Sequence, residues 1–121
     1  MSRLRTASPY LLAALLLGAG TTHFVKPSFY DPMIPEALPG TARQWTYGSG
    51  VVELLLGALV AVPRTRRPAA LASAGLFVAV FPGNIKGALD ADTTVEQVVT
   101  IARLPLQVPL VLWAWKVSRR S

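Results

Sequence analysis

A carboxylate lies in the middle of an apolar run, and few folds can accommodate that. From Trp45 to Val62 the only charged residue is Glu53. The run approaches the length of about 20 residues that a membrane-spanning helix needs. A charged side chain near the centre of such a helix costs about 2.5–3.5 kcal/mol on insertion scales, so Glu53 must face protein and find a partner. Much of the chain can be read as what surrounds it.

The composition agrees with a lipid solvent. The 121 residues are 52% hydrophobic and 15% charged, with a mean hydropathy of +0.44; soluble domains carry about 25% charged residues. At this length residues 1–121 form one compact unit. The absence of cysteine excludes disulfides, thiol redox chemistry, iron–sulfur clusters and thiolate metal sites. A single histidine excludes an all-histidine metal site or bis-histidine haem within one chain. No metal and no intrinsic cofactor are therefore expected. The net charge of +6 does not point to nucleic acid, because the basic residues lie at the ends of apolar runs.

The patterning predicts an all-α integral membrane four-helix bundle with helices over about 9–25, 44–62, 69–89 and 97–117. A basic start, a leucine core and Gly18-Ala19-Gly20 would also fit a signal peptide. The polar Thr21-Thr22-His23 continue the helical pattern, so the first helix is expected to be retained. Residues 26–43 carry Pro27, Pro32, Pro35 and Pro39, too many for a continuous helix. With Phe29, Tyr30, Met33, Ile34 and Leu38 this segment reads as a short broken helix or re-entrant cap at the membrane surface. Trp45, Tyr47, Trp113 and Trp115 suit membrane interfaces, and Lys86 suits a snorkelling position. Thr93 or Thr94 can cap the fourth helix.

Charge sets the orientation. Arg3, Arg5, Arg64, Arg66, Arg67, Lys116, Arg119 and Arg120 occupy the N-terminus, the turn at 63–68 and the C-terminus, without an acidic residue. The positive-inside rule places both termini in the cytoplasm of a multi-pass cell (inner) membrane protein and the proline-rich segment outside. At a helical rise of about 1.5 Å per residue, His23 and Asn84 fall roughly 5 Å below the outer boundary, Arg103 slightly deeper, and Glu53 and Gln107 roughly 14 Å down. Polar groups thus gather in the outer half. Gly50, Glu53 and Gly57 share one face, as do Arg103 and Gln107. Pro82, Pro105 and Pro109 each free a backbone carbonyl that needs a partner in lipid.

Two readings follow. Glu53 and Arg103 form a structural ion pair that pins the second helix to the fourth, or Glu53, Arg103, Gln107, Asn84 and His23 line a ligand pocket. No catalytic residue can be assigned, and the chain is not expected to be an enzyme on its own.

The stretches His23-Phe24-Val25-Lys26-Pro27-Ser28-Phe29-Tyr30, Ile34-Pro35, Leu38-Pro39, Ser49-Gly50-Val51-Val52-Glu53-Leu54-Leu55-Leu56-Gly57, Phe81-Pro82-Gly83-Asn84 and Arg103-Leu104-Pro105-Leu106-Gln107 resemble the DoxX family of small four-helix membrane proteins. The likeness spans about residues 10–117. It implies that the family's polar positions fall on His23, Glu53, Asn84, Arg103 and Gln107. The family takes its name from a subunit associated with a membrane thiosulfate:quinone oxidoreductase. Mycobacterial members are linked to oxidative-stress complexes, and distant animal relatives to receptor assembly. The resemblance implies a small-lipophile, quinone-like, binding or accessory subunit of a membrane redox complex. The alternative is a non-catalytic assembly protein whose Glu53–Arg103 network is structural. Expected partners are the lipid bilayer, other membrane redox subunits and further copies of the chain, with a bound quinone as the candidate cofactor. A transporter is disfavoured, since the inner half has few polar residues beyond Ser73.

Overall fold

A computed structural model describes residues 2–121. The chain forms α1 (Ser2–Val25), two 3-10 turns (Pro27–Phe29 and Asp31–Met33), α2 (Ala42–Ala61), α3 (Arg66–Ala79), α4 (Phe81–Asp90) and α5 (Thr94–Arg119). There is no strand among the described residues. Three stretches are long and apolar enough to cross a membrane: Arg5–Val25, Arg66–Asp90 and Thr94–Arg119. They mark an all-helical membrane protein. The second expected span, α2, is outside this set; it opens with Arg43, Gln44 and Thr46 and carries Glu53.

Local chemistry sets the boundaries. Thr41 starts α2 with a capping box: its hydroxyl accepts from the Gln44 N–H at 3.2 Å, and Gln44 Oε1 accepts from the Thr41 N–H at 3.0 Å. Thr93 caps α5, accepting from the Glu96 N–H at 3.1 Å. The first helix begins seven residues before Pro9, the expected start. Proline there removes only the bond to the Arg5 carbonyl, close to the helix end. The expected helix over 69–89 is two helices that meet at Val80. Pro82 has no N–H for the Val78 carbonyl, while the Val80 N–H closes the last turn of α3 on the Leu76 carbonyl at 2.9 Å. By contrast, α5 runs unbroken through Pro105 and Pro109.

Packing is pairwise: α1 lies on α2 and α3 on α5, with α2 joined to α3 and α4 to α5. Leu12, Leu16, Val60, Ala70 and Ala114 form the most deeply buried part of the core. Glycines let α1 and α2 approach closely. A Cβ on Gly50 would lie 2.8 Å from His23 Cβ, and one on Gly20 would lie 2.9 Å from the Gly50 carbonyl. That contact sets residue 23 beside residues 50–53.

The proline-rich segment is a strap tied at both sides. Asp31 accepts from the fully buried Thr46 hydroxyl at 2.7 Å and from Arg43 Nε at 2.9 Å, which clasps it to α2. Lys86 Nζ donates to the Pro32 carbonyl and to Asp90 Oδ2, both at 2.7 Å, so it ties the strap to α4 rather than only reaching outward. Met33 rests on the bare faces of Gly83 and Gly87, where a Cβ would meet it at 3.0 and 3.2 Å.

Candidate functional site

Beneath the strap, α1 and α2 bring together the chain's histidine and the buried carboxylate Glu53. His23 Nδ1 lies 2.6 Å from the Ala19 carbonyl. A carbonyl only accepts, so Nδ1 carries the hydrogen. Nε2 then faces Glu53 Oε1 at 3.8 Å. The contact is an ion pair only when the imidazole is protonated. At that spacing the two side chains are neighbours beyond direct hydrogen-bond reach. Glu53 is 9% exposed, and its other oxygen, Oε2, is buried without a hydrogen-bond partner among the described residues. Tyr30 from the strap covers the imidazole face, with ring centroids 3.7 Å apart and planes 13° apart. Its hydroxyl is 2.7 Å from Thr22 Oγ1.

Arg103 does not pair with Glu53, contrary to the expected ion pair. α2 and α5 are not packed neighbours. The Arg103 guanidinium instead lies 5.7 Å from the Phe29 ring centroid, under the first turn of the strap.

Asn84 and Gln107 form a separate unit. Asn84 Nδ2 donates to Gln107 Oε1 at 3.0 Å, and Gln107 Nε2 donates to the Phe77 carbonyl at 2.6 Å. Phe77 is in the last turn of α3, where helical carbonyls lose their partners. The two amides staple α3, α4 and α5 across the break at Val80. Gln107 is thus not a neighbour of Glu53, as its depth had suggested. The five expected residues divide into a neighbouring His23–Glu53 pair, a satisfied amide clamp and an arginine under the strap.

Linear depth counting missed the pairings for a simple reason. Helical side chains lean toward the N-terminus of their own helix. On antiparallel neighbours they lean toward each other, so His23 meets Glu53 and Asn84 meets Gln107 despite a Cα offset counted at roughly 9 Å. Sequence reasoning also missed the anchoring roles of Asp31 and Thr46. Outside the spans, hydrogen bonding from Arg43, aided by Thr46, holds the Asp31 carboxyl below its usual range. A cavity of about 360 Å³ opens within the strap among Asp31, Glu36, Trp45 and Lys86; neither His23 nor Glu53 lines it.

Together these features define a small all-helical membrane protein with a strapped polar site at one end. The chain belongs to the family described as Domain of unknown function (DUF8561), which matches residues 12–118. No curated protein and no solved structure matches it.

Proposed function

We propose that this chain is a DoxX-like four-span protein of the cell membrane, with both termini cytoplasmic, that binds a small planar lipophile of the quinone class at His23 and Glu53. On this reading it serves a membrane redox complex as an accessory subunit and is not an enzyme alone. One observation carries the reading: Glu53 Oε2 is buried and unpartnered. A polar atom left this way in a membrane interior costs stability and marks a functional candidate. The His23 pair holds a proton for a ligand oxygen. The imidazole face accepts a flat ring, as its stacking on Tyr30 illustrates. Arg103, under the strap beside Phe29, is suited to orient a carbonyl. Asn84 and Gln107 are already satisfied by each other and by Phe77, so they support the site without touching ligand.

Quinone titration of the purified chain, followed by tryptophan quenching, tests this. Wild type is expected to saturate, and Glu53→Gln to stay folded but bind about tenfold more weakly. No saturable response across benzoquinones and naphthoquinones of varied tail length would overturn the proposal. The satisfied amide clamp favours a second reading, an assembly protein with a purely structural interior. On that reading Glu53→Gln loses the fold.

A further inference from the structure

At the opposite, basic end, a cavity of about 290 Å³ lies between the start of α1, the start of α3 and the end of α5. Arg5, Arg66 and Arg120 line it with the hydroxyl residues Thr6 and Ser8, and Val117 lies at its buried side. Arg66 is fixed in place: Nε donates to the Val60 carbonyl at 2.8 Å, Nη2 donates to the Ala61 carbonyl at 3.2 Å, and the guanidinium sits 5.0 Å from the Tyr10 ring centroid. These bonds leave Nη1 without an acceptor among the described residues. Ser8 Oγ accepts from Trp113 Nε1 at 2.7 Å and keeps its own hydrogen to give. Ser121 also borders the cavity, but no carboxylate forms an ion pair with any of the three arginines among the described residues.

We infer that this cavity is a phosphate site that holds the headgroup of an anionic phospholipid or a soluble phosphate ester. Three guanidinium groups beside the Ser8 hydroxyl match a tetrahedral oxyanion. Basic pockets between membrane helices suit such headgroups. The inference rests on the chain lying in a bilayer, but not on any ligand at Glu53.

Native mass spectrometry of the full chain in mixed micelles of phosphatidylglycerol and phosphatidylcholine tests it. Wild type is expected to retain one phosphatidylglycerol in preference to phosphatidylcholine. Arg5→Gln/Arg120→Gln removes two side chains that make no side-chain bond among the described residues, and is expected to weaken retention by about thirtyfold. Arg64→Gln/Arg67→Gln, at the same end but outside the cavity, should leave retention unchanged. Displacement by glycerol phosphate supports the site and identifies the phosphate ester as the recognised unit. Retention unaffected by glycerol phosphate supports it with the lipid as ligand. Equal retention of both lipids, or equal loss in the two double variants, overturns it. Quinone binding at the other end is independent of every one of these outcomes.

Discussion

Glu53 and Gln107 are both buried polar side chains, yet their chemistry differs. Gln107 both accepts and donates, from Asn84 and to Phe77. Among the described residues Glu53 makes no hydrogen bond through Oε2, and its approach to His23 is 3.8 Å. A group that stabilises the fold should be costly to remove, and a group held for a ligand should not. Gln107→Leu strands the Phe77 carbonyl and the Asn84 amide, so it is expected to cost about 1–2 kcal/mol of stability. Glu53→Gln keeps the volume and breaks no bond, so stability should change by no more than about 0.5 kcal/mol. Thermal unfolding of both variants in one detergent measures the contrast. A Glu53 variant less stable than the Gln107 variant would assign the carboxylate to structure.

Among the elements, the strap is the least regular and the most dependent on charge. Asp31 is its anchor, bonded to Arg43 and Thr46, and both bonds need the ionised carboxyl to accept. The folded pKa of Asp31 is below its ordinary value of 3.8. Its contribution is therefore complete above the ordinary carboxylate range and is lost as pH falls through the lower, folded value. Trp45 reports on the strap, because its indole N–H donates to the Pro39 carbonyl at 2.6 Å. Lowering pH from about 6 to well below the ordinary carboxylate range should shift tryptophan emission in wild type. Asp31→Asn should begin shifted and lose most of the change; an identical response in both would dismiss Asp31 as the anchor. The four prolines made the strap's broken character legible in advance, and Pro82 likewise flagged trouble near Val80. The clasp through Thr46 and Lys86 was not legible, because a threonine in a helix and a lysine near a helix end each have many ordinary uses.

For the whole molecule, each helix's polar positions could be read from the chain, but the order of neighbours could not. That is why His23, Glu53, Asn84, Gln107 and Arg103 were all visible and the Glu53–Arg103 pairing was not: a pairing depends on which helices touch, and α2 touches α1 and α3. The outer surface is consistent with lipid contact, since Val25, Leu55, Leu71, Val78, Leu89 and Leu106 are all exposed. Charge is segregated along the bundle: the strap and the turn at 90–96 hold Asp31, Glu36, Asp90, Asp92 and Glu96, while the opposite end is wholly basic. Charge segregation of this kind orients short loops during insertion. With no native cysteine, one introduced thiol reports its own side of the membrane without background. Ala37→Cys in the strap and Asp92→Cys in the acidic turn change exposed residues and should react with an impermeant maleimide in intact cells. Ser121→Cys should react only after lysis. Labelling of Ser121→Cys from outside, with the other two protected, would invert the orientation. Labelling of Asp92→Cys and Ser121→Cys from the same side would mean that α5 does not cross, and would rule out the proposed four-span arrangement.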